Sequence, residues 1–273
     1  MNIQLKPDRA FSPARVYAMV LRYLYLYRGS WPRILDLIYW PAVQMILWGF
    51  ITQFLVTQTT YLAQAFGLLI AAVLLWDVLF RSQLGVSLMF FEEIYARNLG
   101  HLFISPLRPY EMVLAMLTMS MLRTLVGVGG ASLLAIMLYH YSLFSMGLPL
   151  LAFFANLLAM GWAMGLIIVS IVMIHGMGAE SLAWVVIFAV APVSGVYYPI
   201  SVLPGWLQPI SWSLPSSYVF EGMREVMRHQ RFDWDLFVGA TLLNGLYLSL
   251  GVTVFLLAFR HARRKGLLLS IGE

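Results

Sequence analysis

Residues 236–265 read LFVGATLLNGLYLSLGVTVFLLAFRHARRK, twenty-four residues without a single Asp, Glu, Lys or Arg, then four cations among the last six. A run of this length exceeds the roughly 20 apolar residues a helix needs to cross a hydrocarbon core of about 30 Å. Lipid offers no partner to backbone N–H and C=O groups, so such a run crosses as a helix that satisfies them internally. The cations at one end give it direction, because Lys and Arg beside a span favour the cytoplasmic side. Residues 236–259 are therefore read as a span whose C-terminal end lies inside.

Five further runs share the pattern: 37–56, 61–80, 112–138, 146–174 and 181–200. The expected fold is an all-α integral membrane protein of six transmembrane helices in one integral membrane unit, 1–273, with no separate soluble domain. With the N-terminus inside, thirteen of the seventeen Lys and Arg residues fall on the cytoplasmic side: Lys6, Arg9, Arg15, Arg22, Arg28, Arg33, Arg81, Arg97, Arg108, Arg260, Arg263, Arg264 and Lys265. Arg224, Arg228 and Arg231 lie outside, and Arg123 lies within a span. Both termini are thus expected in the cytoplasm, as an even number of spans requires. A chain of 273 residues that is 61% hydrophobic and 11% charged is no soluble globular domain. Its net charge of +5 is spread over juxtamembrane positions, which implies lipid headgroups as partners and no nucleic acid. Cysteine is absent, which excludes disulfides and thiolate metal sites. Residues 1–10 are polar, with no apolar core close behind them, so no cleavable signal peptide is expected.

The segments between spans carry their own signals. Residues 12–30 read as an amphipathic helix on the inner membrane surface, with Ser12 as cap and Pro13 at its first position. Val16, Met19, Val20, Tyr23, Leu24 and Tyr27 recur at helical spacing, while Arg15 and Arg22 sit seven apart on another face. Pro32 marks the turn into the first span, and residues 57–60 form a short outer hairpin. The longest inner stretch, 81–111, contains FFEEIYARN at 90–98, a short helix with Glu93 and Arg97 at the favourable i, i+4 spacing. Ser105-Pro106-Leu107-Arg108-Pro109 breaks it. Residues 175–180 form a compact inner turn. Pro192, Pro199, Pro204, Pro209 and Pro215 then crowd an apolar region, which cannot be one lipid-exposed helix. Residues 196–217 are expected to dip back into the outer leaflet as two short helices, followed by a surface helix over 216–230. In that helix Glu221 and Glu225 lie within reach of Arg224 and Arg228. Trp206, Trp212 and Trp234 suit the membrane interface.

No catalytic constellation emerges. The chain has no Gly-rich loop ending in Lys and Ser or Thr, and so no such route to ATP hydrolysis. His101, His140, His175, His229 and His261 are scattered without metal-ligand spacing, so no metal is expected. Arg123 is the ionised side chain placed deepest in a span, about 16 Å from Met112 at 1.5 Å per residue. Gln44 and Asn156 lie at comparable depth, and the three are expected to share an intramembrane polar network that serves either as a gate or as an anchor. Gly161-Trp162-Ala163-Met164-Gly165 has Gly-x-x-x-Gly spacing, read as close packing within one subunit in preference to a dimer seam.

With this layout, the chain resembles the membrane subunits of type-two ABC exporters, the permeases of polysaccharide and drug export. The most specific part is Ser194-Gly195-Val196-Tyr197-Tyr198-Pro199-Ile200, followed by Leu203-Pro204-Gly205-Trp206-Leu207-Gln208 and Leu214-Pro215-Ser216-Ser217-Tyr218. It is similar to the family's aromatic-Pro turn, Leu-Pro-x-Trp helix and Asn-Pro-type step, although Ser213 stands where the usual Asn would be. Glu92-Glu93 through Ser105-Pro106-Leu107 resembles the acidic helix and Ser-Pro step after the family's second span. The resemblance implies an ATP-driven exporter in the bacterial inner membrane, built from two permease copies, with a homodimer expected. It also implies a separate cytoplasmic ATPase that binds ATP and Mg, leaving no cofactor in this chain. Glu92, Glu93, Arg97 and Asn98, within 90–106, would be its coupling region. Tyr197, Tyr198, Pro199, Pro204, Trp206 and Pro215 would form the outer gate. Cargo is left open. Two other classes stand beside this reading: a lipid-modifying enzyme with Glu221, Arg224 and His229 at its outer face, and a passive channel.

Overall fold

The computed structural model describes residues 11–58 and 65–266. Half of the predicted outer link and the first residues of the predicted second span therefore lie outside the described residues, as do residues 1–10 and 267–273. Among the described residues ten α-helices follow one another: α1 (Pro13–Arg28), α2 (Trp31–Gln58), α3 (Ala65–Tyr95), α4 (Leu99–Ile104), α5 (Pro109–Tyr139), α6 (Leu148–His175), α7 (Leu182–Val190), α8 (Gln208–Trp212), α9 (Pro215–His229) and α10 (Trp234–Lys265). Among the described residues five helices are long and apolar enough to cross a membrane: α2, α3, α5, α6 and α10. The all-α membrane architecture stands, and the fifth predicted span is corrected. It is not one helix from 181 to 200. α7 passes into a 3-10 turn at Ala191–Val193, where Pro192 brings no N–H and Gly195 takes φ +67°.

A second correction concerns the end of the second span. The second span and the short helix predicted over 90–98 are one helix, α3, which carries the acidic pair at its C-terminal end. Nothing between 81 and 89 forbids this. Arg81, which looked like the end of a span, is neutralised one turn back by Asp77, whose Oδ2 accepts from Arg81 Nε at 2.6 Å. α3 stops where Arg97 turns left-handed at φ +50°, and the amides of Arg97 and Asn98 close on the carbonyls of Ile94 and Glu93. The expected Glu93–Arg97 pair gives way to other partners, described below.

α3 and α6 form the centre of the bundle. α3 lies against α5 on one side and α6 on another, and α10 covers the far side of α6. Small residues set these distances. A Cβ on Gly161 would stand 1.9 Å from Ser82 Oγ, and one on Gly165 would stand 2.8 Å from Val86 Cβ, so the Gly-x-x-x-Gly spacing packs α6 onto α3 within the subunit. On the other face of α6, a Cβ on Gly251 would meet the Ala163 carbonyl at 2.9 Å. Ser120 of α5 ties three helices, donating to the Ser82 carbonyl at 2.9 Å and accepting from Trp162 Nε1 at 3.3 Å. α2, by contrast, leaves a broad apolar face exposed, with Phe50 and Phe54 both 62% exposed.

Candidate functional site

Three features of the bundle carry charge into or across it. The first is a cavity of about 390 Å³ between α2, α3, α5 and α7. Arg81 and Arg123 come from the middles of α3 and α5, and Gln44 comes from α2. Arg81 lies against the bare backbone of α5, since a Cβ on Gly127 would stand 2.7 Å from its Nε. Arg123 stands over the ring of Tyr27 at 5.2 Å, and its Nη1 is shielded from solvent without a hydrogen-bond partner. Aromatic side chains close the other wall. Phe80 meets Trp184 and Phe188 at centroid distances of 6.0 and 6.2 Å. The arrangement offers guanidinium groups to a ligand's charge and aromatic faces to its body.

The second feature joins α1 to the C-terminal end of α3 and the N-terminal end of α5. Glu111, at the third position of α5, is fully buried. It accepts from Arg15 Nε at 2.8 Å and Nη2 at 2.7 Å, from the Ser12 amide at 3.0 Å and from the Arg108 amide at 3.0 Å. Glu93 is held the same way, by Arg22 Nη1 at 2.7 Å, Arg22 Nη2 at 2.9 Å and Asn98 Nδ2 at 2.8 Å. Arg33 reaches Glu92 at 3.7 Å. α1 runs over Pro13–Arg28, where Arg15 and Arg22 face protein carboxylates and the Ser12 hydroxyl makes no cap bond. Removing the cation from a bidentate pair whose carboxylate is buried strands that carboxylate. Arg22→Glu should thus lower the unfolding free energy by about 3 kcal/mol, whereas Arg22→Glu with Glu93→Arg should recover more than half of that loss. Thermal unfolding in detergent reads both, and a double variant no better than the single one would show that the pair does not hold α1.

The third feature is the proline-rich loop after α7. Arg224 of α9 is only 3% exposed. Its Nη2 donates to the carbonyls of Gly195 and of Tyr198, the latter at 2.7 Å, and Nη1 lies 3.3 Å from Glu221 Oε1. Glu221 in turn accepts from the Ile200 amide at 2.7 Å. Tyr197 stacks on Trp48 of α2 at 4.7 Å, and the Tyr198 hydroxyl donates to the Pro192 carbonyl at 2.5 Å. Ser211 donates to the Val193 carbonyl, closing the loop across its neck. The loop is a built element, not a slack connection.

A family model described as ABC-2 type transporter matches residues 16–227, from α1 into α9. The chain belongs to the ABC-2 type transporter family. It is a membrane permease of an ABC transporter, a multi-pass membrane protein and a transport subunit rather than an enzyme. No individual curated protein matches it.

The permease's structure divides the site residues expected from sequence into separate groups. Gln44 and Arg123 do line one cavity, but Asn156 is elsewhere. It faces α10, where Asn244 Nδ2 donates to its carbonyl at 2.9 Å and to its Oδ1 at 2.8 Å. Glu93 meets Arg22 of α1, Glu92 meets Arg33 of α2 and Asn98 donates to Glu93, while Arg97 is exposed just past the end of α3. Tyr197, Tyr198 and Pro199 belong to the loop that Arg224 organises, Trp206 projects from it, 73% exposed, and Pro215 opens α9. The alternative enzyme site does not assemble. The Arg224 guanidinium is engaged with loop carbonyls, and His229 pairs with Glu225 on the exposed side of α9. No cluster of three His, Asp or Glu residues suited to a metal occurs among the described residues. Sequence reasoning missed the Asp77–Arg81 pair, because the span was ended at residue 80. The signal was there: Asp and Arg four apart within an uninterrupted apolar run.

Proposed function

We propose that this permease is half of a membrane-spanning dimer of two identical copies that exports its cargo from the bacterial cytoplasm. A separate ATPase that binds ATP and Mg energises it from the cytoplasmic side, where both termini lie. The observation that carries this reading is the ion-pair assembly at the inner ends of α1, α3 and α5. Buried carboxylates bound to guanidiniums of another helix make α1 and the α3–α4 corner move together. A force applied at that corner therefore reaches the spans without being absorbed by a loose loop. Tyr95, Arg97 and His101 are exposed there and suit the docking of a soluble partner, while Glu93 is the buried brace behind them. The Tyr95 hydroxyl also donates to Glu180, which links the corner to the other inner turn.

The outer loop supports the direction of transport. Trp48, on which Tyr197 stacks, lies ten residues before the described end of α2, about 15 Å at 1.5 Å per residue. The loop thus reaches down between the helices, as a plug over an exit would. Two measurements test the reading. A reporter fused after Glu273 should read cytoplasmic, and one inserted at Asp233 should read external. Arg97→Glu should cut transport and the partner's transport-linked ATP hydrolysis by about tenfold while leaving insertion and thermal unfolding unchanged, since an exposed charge contributes within about 0.5 kcal/mol to folding. Wild-type transport in Arg97→Glu would remove the α3–α4 corner from coupling, and an external C-terminus would overturn the orientation.

A further inference from the structure

We propose that the cavity between α2, α3, α5 and α7 binds amphiphiles with an anionic head, such as a phosphate or sulfonate monoester carrying an alkyl or aromatic body. Calling that ligand cargo rests on the exporter reading above; the binding site itself does not. Charge is the first argument. Arg81 and Arg123 both line the cavity, and the carboxylate paired with either of them among the described residues is Asp77, held by Arg81 through Nε. Two guanidiniums and one carboxylate leave the site net positive. An uncompensated cation in the middle of a spanning helix costs several kcal/mol, and its occurrence there marks a ligand path or a partner. The Tyr27 ring under Arg123 offsets only part of that cost, because a ring face attracts the charge without accepting a conventional hydrogen bond from it. A buried Nη1 without an acceptor remains, and an incoming oxyanion would satisfy it.

Shape gives the second argument. About 390 Å³ falls in the size range of small-molecule sites. Gly127 and Gly85 give up side chains on the α3–α5 wall. At Gly127 the vacated space is filled by the Arg81 guanidinium, which fixes the direction in which it points. Opposite stand Phe80, Trp184 and Phe188, a continuous aromatic wall without charge. Trp184 is 45% and Phe188 61% exposed, so this wall continues from the cavity onto the surface of the bundle. A ligand therefore meets guanidiniums at one end and an aromatic ramp leading outward at the other. Cations are repelled by this arrangement, and a neutral glycoside leaves the Arg123 charge uncompensated.

The permease alone, in phosphatidylcholine nanodiscs without nucleotide, provides the test. Dodecyl phosphate should bind at least about tenfold more tightly than dodecyl glucoside or dodecyltrimethylammonium, the margin expected for one desolvated charge pair. Inorganic phosphate, which lacks the apolar body, should bind at least about tenfold more weakly than dodecyl phosphate. Arg123→Gln should abolish the preference for phosphate over glucoside, and Phe188→Ala should weaken both alkyl ligands alike. A readout that keeps both arginines uses the absence of native cysteine: Phe188→Cys should be protected from maleimide by dodecyl phosphate and not by the glucoside. Equal affinity for the three alkyl ligands, or an unprotected thiol in Phe188→Cys, overturns the proposal. Loss of ATPase coupling in the assembled transporter would overturn the exporter reading and leave these affinities untouched.

Discussion

Replacing Arg224 by leucine should destabilise the permease by about 3–5 kcal/mol, the range for breaking a buried, hydrogen-bonded charge site by removing one partner. The residue is buried on α9, yet it serves a segment far from it in sequence. Its Nη2 holds the carbonyls of Gly195 and Tyr198, and its pairing orients Glu221, which accepts from the Ile200 amide. Leucine fills much of the volume and satisfies none of these groups. Each buried carbonyl left without a donor costs about 1–3 kcal/mol, so the loop would release them to water by opening. The expected results are a lowered thermal midpoint in detergent and new protease cleavage between 196 and 207. Arg228→Ala, exposed on the same helix, should stay within about 0.5 kcal/mol of the parent. A midpoint for Arg224→Leu matching that of Arg228→Ala would mean that packing, not the guanidinium, shapes the loop.

Sequence made the membrane architecture legible because lipid imposes a simple rule: a spanning segment is a long apolar helix that satisfies its own backbone. The starts of α5 and α9 follow from Pro109 and Pro215, since proline suits the first helical turn. What stayed hidden depends on partners far apart in the chain. Arg15 and Arg22 lie seven apart on one face of α1, a pattern equally fit for lipid headgroups and for protein carboxylates. The acceptors, Glu111 and Glu93, lie 96 and 71 residues away, and no local spacing points to them. Asn156 and Arg123 have similar depth in their spans, but depth says nothing about which face a residue occupies, and the bundle turns Asn156 towards Asn244 instead. The fifth span failed for a local reason that was legible. Pro192 and Gly195 lie inside the apolar run, and hydropathy alone extended the helix across them.

The fit between α3 and α6 sets the other large effect. Gly161→Leu should prevent the permease from folding, and Gly161→Ala should cost about 2 kcal/mol, within the usual range for overpacking. A Cβ at this position would stand 1.9 Å from Ser82 Oγ, which can rotate or be removed. It would also stand 2.9 Å from the Leu79 carbonyl oxygen and 2.9 Å from the Gln83 amide nitrogen, which belong to the backbone of a buried helix. Ser82→Ala in the Gly161→Ala background should therefore relieve only part of the loss, because the backbone contacts persist. No such relief is available to leucine, which must drive the two central helices apart and open the wall that carries Arg81. Thermal unfolding together with oligomeric state in detergent tells this packing from a seam between subunits. If Gly161→Leu gives a monomer as stable as the parent subunit, the glycine pair belongs to a dimer contact and the α3–α6 fit is not what it supplies. A chain that accumulates unfolded or is degraded, with partial rescue of the alanine variant by Ser82→Ala, places the close approach inside the subunit, where it fixes the helix that bears the cavity's charge.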